Sequence, residues 1–312
     1  MQMKDLKPGD ILIFKSHNDS NLSRIISILT NSDVSHSAIV DEDTNYLLES
    51  SLDGGARTAI QSYSPRIAYI RRFETCPSPS YAVNIAKSYV QTAFPYSYTE
   101  LIASGLYILS CRLAPLLKHG KLLCVMLEVA TYAISKAIDY KKNNGKEAMI
   151  CSELVFRSYA EAALSHGRDY EIHFTKESSQ YQTILDALLD YVSRTSADMM
   201  LFVSSDDVLD YSLEDAVLAM ENCYEELNVF KKEADAMSDK VLTIDSYMTP
   251  QLLHKVGVFC SHVLQLKGYS LGNEASLKDI LTAMLRMKAV FVSPADLCYH
   301  TTNLTDYETL TY

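Results

Sequence analysis

The sequence predicts an α+β protein with a small antiparallel sheet near its start and large helical additions. Residues 10–73 contain short runs of β-branched and aromatic residues separated by turn formers, which is typical of antiparallel strands. Residues 98–142 are apolar and have helical spacing. From residue 165 to about 288, amphipathic stretches with capping signals indicate a series of further helices.

Strands are predicted where β-forming runs lie between turn signals. The polar run at 41–45 and the Asp-Gly-Gly at 53–55 predict turns that would join neighbouring strands into an antiparallel meander. Helical spacing at 22–29 and 80–91 predicts one helix after the first strand and another after the last. The four predicted strands are 10–14, 37–40, 46–49 and 67–70.

The apolar stretch at 98–142 predicts a helical hairpin. Its two longest apolar segments contain Arg112 and Glu128, so neither has the ~18 clean apolar residues that a membrane-spanning helix needs. Two buried core helices are the simplest interpretation. The alternative is that residues 101–138 line an apolar pocket or make peripheral contact with a membrane interface.

Helical signals after residue 164 predict a division of the chain. Ser212 with Asp215, and Ser276 with Asp279, resemble capping boxes, in which the two side chains satisfy backbone N–H groups at a helix start. Thr249 and the following proline predict the start of another helix. We expect a core at 1–164, a helical insertion or lid at 165–288, and a return to the core at 289–312.

Composition excludes some classes of partner. With 312 residues, 48% of them hydrophobic, the chain can bury a sizeable core in one large or two modest domains. The formal net charge of −11 and the lack of a long Lys/Arg run argue against nucleic-acid binding, and against binding an anionic bilayer by charge alone. The oligomeric state is left open.

Seven widely spaced cysteines, an odd number, indicate free thiols. They form no Cys-x-x-Cys pair and no His/Cys cluster at zinc-ligand spacing, so we expect no metal and no cofactor. Free thiols suit a reducing compartment. Residues 1–6 lack the basic start of a secretory signal, although a trimmed chain would look the same, and we expect a cytoplasmic protein.

Two residues are candidates for nucleophilic chemistry. Cys151 lies at the predicted first turn of an amphipathic helix, where backbone N–H groups and the helix dipole stabilise a thiolate. His36 enters a predicted strand and could act as the base that takes the thiol proton. The simpler alternative is a small buried side chain at Cys151 and a strand histidine bonded to the backbone at His36.

Two further residues have weaker claims. Glu49 lies on the next predicted strand, where a hairpin would bring its carboxylate beside the second ring nitrogen of His36, as the orienting member of a triad. An ordinary strand-end carboxylate is the alternative, because the register between 49 and 51 is open. Tyr96 follows Pro95, and its hydroxyl could face the thiol as a donor to an oxyanion or a substrate.

These segments, in this order, resemble a known family. The histidine precedes the cysteine, the reverse of papain, and with the opening Leu-Lys-Pro-Gly-Asp at 6–10 the chain is similar to the YiiX/YaeF group of circularly permuted NlpC-like papain-fold hydrolases. The resemblance covers rather under half of the chain. Ala93-Phe94 replaces the glycine-containing turn more usual before Pro-Tyr. The matching segments are 35–36, 48–50, 94–96, 151–155 and 292–297.

The resemblance implies a papain-like core, with a small sheet packed on the cysteine helix, and a cysteine hydrolase. Such an enzyme would cleave an amide, ester or thioester of a small-molecule, peptide or lipid acyl substrate through a thioacyl intermediate. Relatives of the NlpC type act on cell-wall peptides, while the permuted branch also resembles lipid acyltransferases. A lipid-directed thiol acyltransferase and a non-catalytic binding module on the same core are the alternatives.

Overall fold

The computed structural model describes the backbone of most of the chain. Within its helices and strands, the side chains of 51, 54, 96, 97, 114, 115, 233–236, 244 and 288 are not described. The chain divides into two compact units, a sheet unit (1–96, 148–177 and 289–312) and a helical unit (97–147 and 178–288). The described ranges are 1–17, 19–51, 54–75, 78–90, 96–111, 114–145, 149–175, 183–195, 208–236, 244–269 and 275–312.

The predicted α+β class with a small antiparallel sheet is confirmed. Within the described ranges the sheet has six strands in the order β4-β3-β2-β1-β5-β6, and every neighbouring pair is antiparallel. The strands are β1 Ile11–Lys15, β2 Val34–Val40, β3 Tyr46–Ser51, β4 Gly54–Ala59, β5 Ala68–Arg71 and β6 Glu308–Thr309. The helices are α1 Asn21–Leu29, α2 Ser80–Tyr89, α3 Tyr96–Ser110, α4 Gly120–Asn144, α5 Cys151–His166, α6 Ile184–Arg194, α7 Leu213–Ala236, α8 Pro250–Leu266, α9 Leu277–Leu285 and α10 Pro294–Tyr299.

Two expectations about the sheet are wrong. The meander extends through β1 to β4, but β5 returns beside β1, where Ala68 pairs with Phe14. The backbone N–H and C=O groups along both edges of the buried strand β1 need hydrogen-bond partners, and β5 supplies them on the side away from β2. Gly54 and Gly55, predicted in a turn, begin strand β4, which the sequence did not predict because this edge strand contains no β-branched or aromatic residue apart from Thr58.

The two faces of the sheet have different partners, because alternate side chains point to opposite sides of a strand. Ile11 and Ile13 face a core shared with α2, α5 and α10, whereas Leu12 and Phe14 face a smaller cluster built with residues from both chain ends. The cysteine helix α5 therefore packs directly on one face of the sheet.

Gly9 lies just before β1 and packs against this core. We expect Gly9→Ala to lower the free energy of unfolding by about 2 kcal/mol or more. Gly9 has φ of +81°, and an added Cβ would overlap the side chain of Pro79 and lie 3.0 Å from the Tyr159 hydroxyl. Urea unfolding would measure the loss. The control is Gly145→Ala, which has φ of +68° and nothing within 4 Å of its Cβ, so only the conformational cost should appear. Equal losses in the two variants would contradict the steric explanation.

The helical unit buries the apolar hairpin. Leu101 and Leu106 of α3, and Leu127 and Ile134 of α4, are among the buried side chains. Glu128, the charge within the second apolar segment, lies 2.9 Å from Lys255 of α8. Among the residues that the structure describes, no helix is both long and apolar enough to cross a membrane.

Candidate active site

Cys151 is the first residue of α5. Ile150 precedes it in an extended conformation, and the Leu154 N–H donates to the Ile150 carbonyl at 3.0 Å, which starts the helix at the cysteine. The Cys151 N–H is thus one of the first-turn groups that have no acceptor within their own helix. The Ser152 hydroxyl donates to the Val292 carbonyl at 2.7 Å and anchors this helix end. The sulfur position is therefore set by core packing, and Cys151 is only 6% exposed.

His36 is the third residue of β2 rather than its entry, since the strand begins at Val34, three residues before the predicted range 37–40. It pairs with Phe14 of β1, and the register between β1 and β2 shifts just after this pair. Such irregularities re-aim a side chain locally. The imidazole is buried, and its ring lies 5.7 Å from that of Phe14.

Glu49 of β3 lies beside His36, with Oε2 at 2.7 Å from Nε2. The register of the hairpin, in which Ile39 pairs with Leu48, brings the two side chains to the same face of the sheet. Glu49 has no exposed surface at all. The predicted hairpin therefore places a carboxylate where it can orient the ring.

The other ring nitrogen of His36 is directed at the sulfur of Cys151. His36 and Cys151 form a side-chain hydrogen bond, and because Nε2 is engaged by Glu49, the nitrogen left for this bond is Nδ1. Burial alone lowers the pKa of His36, but the Cys151 thiolate and the Glu49 carboxylate outweigh it and raise this pKa to about 9. Burial raises the pKa of the Cys151 thiol, but the imidazolium outweighs it and lowers this pKa below its ordinary value. The geometry favours a thiolate–imidazolium ion pair.

Ser37 and Tyr63 complete the surroundings, and sequence reasoning singled out neither. The Ser37 N–H donates to the Cys151 sulfur and helps to lower the pKa of the thiol. The buried Ser37 hydroxyl faces the same sulfur and also helps to lower this pKa. The Tyr63 hydroxyl donates to Glu49 Oε2 at 2.6 Å. No motif marks Tyr63, which is one of 21 tyrosines.

Tyr96 is the first residue of α3, but its side chain lies outside the described residues, as do Ala93 and Phe94. Its role as a hydrogen-bond donor stays a prediction. The structure thus brings together three of the four candidate residues, namely His36, Glu49 and Cys151.

Four other described cysteines differ from Cys151 in their environment. Burial raises the pKa of Cys223 to about 11 and that of Cys298 to about 12, and it also raises the pKa of Cys124 and Cys260. Within the described part of the chain, no group of three or more His, Cys, Asp or Glu side chains is arranged to hold a metal ion.

Comparison with known proteins gives distant structural likenesses. No protein-family model matches the chain, and no curated protein is significantly similar to it. Among solved structures, it is similar to the crystal structure of the metalloprotein yiiX from Escherichia coli O157:H7, with 18% sequence identity and a TM-score of 0.31. The similarity covers 50% of this chain and 66% of that chain, slightly less than two thirds of its length. The chemistry of the site is therefore taken from its own residues.

Proposed function

We propose that this protein is a cysteine hydrolase with Cys151 as nucleophile and His36 as general acid and base. The observation that carries the proposal is the buried row of hydrogen bonds from Cys151 through His36 to Glu49. A thiol is a weak nucleophile until it loses its proton, and an oriented imidazole beside it is the usual means of activation.

The reaction follows from the two protonated nitrogens and the sulfur. The Cys151 thiolate attacks a carbonyl carbon, and the His36 imidazolium gives its Nδ1 proton to the departing nitrogen, oxygen or sulfur as the bond to the acyl group breaks. A thioester remains on Cys151. The neutral imidazole then takes one proton from water as the water oxygen attacks the thioester. The C–S bond breaks, the Cys151 thiolate and the carboxylic acid product are released, and the proton stays on His36, which restores the ion pair.

The negative charge that develops on the carbonyl oxygen during attack needs hydrogen-bond donors to stabilise it. The Cys151 backbone N–H, at the start of α5, is placed to supply one, a contribution typically worth about 3 kcal/mol. Tyr96 is proposed as a second donor. By sequence, residues 1–164, with the apolar helical hairpin at 98–142, are proposed to be a permuted papain-like core, with 165–288 as an insertion or lid and 289–312 returning to the core. The bond from Ser152 to Val292 supports this return.

The proposed substrate is an amide, ester or thioester of a small molecule, a peptide or a lipid acyl chain. A lipid-directed thiol acyltransferase uses the same first half-reaction and differs only in the acceptor of the acyl group. The low exposure of Cys151 and His36, 6% and 4%, favours a second candidate, a non-catalytic binding module. Reactivity of the thiol separates the two classes.

We expect neutral iodoacetamide to modify Cys151 first, with an apparent pKa below the ordinary thiol value of 9.0. Mass spectrometry would locate the adduct. Cys223 and Cys298 should react slowly, because their pKa values are raised. In a screen of amides, esters and thioesters, turnover should fall as pH rises through about 9, because His36 then lacks the proton that the leaving group needs.

Labelling spread evenly over the cysteines, with no depressed pKa at Cys151, would overturn the hydrolase proposal in favour of the binding module. Selective labelling without turnover of any compound in the screen, followed by acyl transfer to an added amine or alcohol, would identify the acyltransferase instead.

A further inference from the structure

The Glu49 carboxylate, which bonds to His36, also accepts a hydrogen bond from the Tyr63 hydroxyl. We propose that Tyr63 is a positioning residue of the reaction, whose hydroxyl keeps Glu49 aligned so that the His36 imidazolium stays beside Cys151. The inference rests on the proposed hydrolase chemistry and adds to it a residue that contacts neither the sulfur nor the imidazole nitrogens by hydrogen bond.

Geometry restricts what Tyr63 can do. Its hydroxyl and His36 Nε2 both bond to Glu49 Oε2, at 2.6 and 2.7 Å. The other carboxylate oxygen, Oε1, is buried and forms no hydrogen bond of standard geometry. Without the Tyr63 hydroxyl, the buried carboxylate would keep the imidazole and the Thr58 hydroxyl as donors and would be held less firmly about its last side-chain bond.

Aromatic packing holds the phenol ring in place independently of that hydrogen bond. The Tyr63 ring stacks on Phe14 with centroids 4.3 Å apart, and it lies nearly parallel to the His36 ring at 6.0 Å. Phenylalanine at this position would keep both contacts and remove only the hydroxyl. The matched substitution therefore isolates the hydrogen bond.

Other charged or titratable groups near Tyr63 have partners or positions of their own. The positive charge of Arg66, in the loop after Tyr63, lowers the pKa of the phenol. The Arg66 guanidinium itself donates to the Lys15 carbonyl at 2.6 Å and to Ser35 Oγ at 3.1 Å. The charge of Cys151, on α5, raises the pKa of Tyr63. Tyr312 packs in the same apolar cluster as Tyr63, and the Thr58 hydroxyl of β4 faces Glu49. Strand β1 contributes the uncharged ring of Phe14. Burial and the Glu49 charge raise the pKa of Tyr63, so its hydroxyl remains a donor throughout the working range.

The protonated state of His36 beside the Cys151 thiolate can be detected by comparing the rates at which two electrophiles alkylate Cys151. Anionic iodoacetate is attracted to the imidazolium, whereas neutral iodoacetamide is not, so the ratio of their rates at Cys151 reports the protonation of His36. In the wild type this ratio should fall as pH rises through about 9. In Tyr63→Phe the midpoint of the fall should be about one pH unit lower, because a carboxylate that is no longer held in line with Nε2 forms a poorer hydrogen bond and stabilises the imidazolium less.

Tyr89→Phe is the matched control, because the Tyr89 hydroxyl also donates to a carboxylate, that of Glu161, elsewhere in the sheet unit. Its midpoint should equal that of the wild type. A purely structural role for Tyr63 would change rates at all pH values without moving the midpoint. In the Glu49→Gln background, Tyr63→Phe should cause no further shift, since the hydroxyl acts through the carboxylate.

The outcomes separate the two proposals. If wild-type Cys151 shows neither selective labelling nor a preference for iodoacetate, the hydrolase proposal fails. If the wild type shows both and Tyr63→Phe keeps the same midpoint with a native circular dichroism spectrum, the positioning role of Tyr63 is overturned and the hydrolase proposal stands.

Discussion

Replacing His36 by alanine should slow the alkylation of Cys151 by iodoacetamide at about pH 6 by at least roughly 100-fold, since each unit of thiol pKa changes the thiolate fraction about tenfold. In the native protein the imidazolium outweighs the effect of burial and lowers the pKa of the thiol. Without it, burial dominates, as it does at Cys260, where burial raises the pKa of the thiol. Timed labelling with mass spectrometry would give the rate at each cysteine.

His17→Ala is the control for this experiment. His17 lies 3.8 Å from the Asp19 carboxylate at the surface, with its side chain 52% exposed, so it matches His36 in chemistry but not in position. It should leave labelling of Cys151 unchanged. A loss of less than about threefold in His36→Ala would show that the helix start and Ser37 activate the thiol by themselves.

Glu49→Ala should lower the free energy of unfolding by about 3–5 kcal/mol at about pH 6, because it leaves a buried imidazolium without its carboxylate. The Glu49 side chain has no exposed surface, and it accepts from both His36 and Tyr63. Urea unfolding would measure the change. Glu161→Ala is the control, because Glu161 accepts from Tyr89 and Arg157 at the surface, where such an ion pair contributes at most about 1 kcal/mol.

The pH dependence of this loss has a definite sign. Folding raises the pKa of His36 from 6.5 to about 9, so its contribution is fully present below 6.5 and is lost as pH rises through about 9. Folding lowers the pKa of Glu49 from 4.5, so its contribution is present above 4.5 and is lost at more acidic pH. The difference between wild type and Glu49→Ala should thus be largest between about 4.5 and 6.5. A difference that stays constant up to pH 10 would contradict the ion-pair explanation.

Several elements could be predicted because their causes lie within a few residues. Helix α8 begins after Thr249, whose hydroxyl accepts from the Leu252 N–H, and it ends before Gly268 with φ of +80°. The start of α5 at Cys151, and the strand that contains His36, were visible in the same way from local periodicity. Hairpin formation then placed Glu49 near His36, since the two lie only 13 residues apart.

Other features needed long-range contacts. By local sequence strand β5 could pair with either β1 or β4. It pairs with β1, where it satisfies the backbone groups along the edge of that buried strand that β2 leaves open. Strand β6 has only two residues, too few to show alternation, and exists because it pairs with β5. Tyr63 lies in a one-turn helix of unremarkable composition, so only the packing of its ring on Phe14 shows that its hydroxyl meets Glu49.

By itself, the sequence determined the α+β class, the helix that begins at Cys151 and the strand that contains His36, because caps, turns and periodicity act over a few residues. Only the tertiary structure decided that the Cys151 thiol meets the His36 imidazole, 115 positions away in the sequence. It also decided that Glu49 bonds to the imidazole and that Tyr63 bonds to Glu49. The protonation states of these groups depend on burial and on neighbouring charges, which exist only once the sheet and the cysteine helix have packed together.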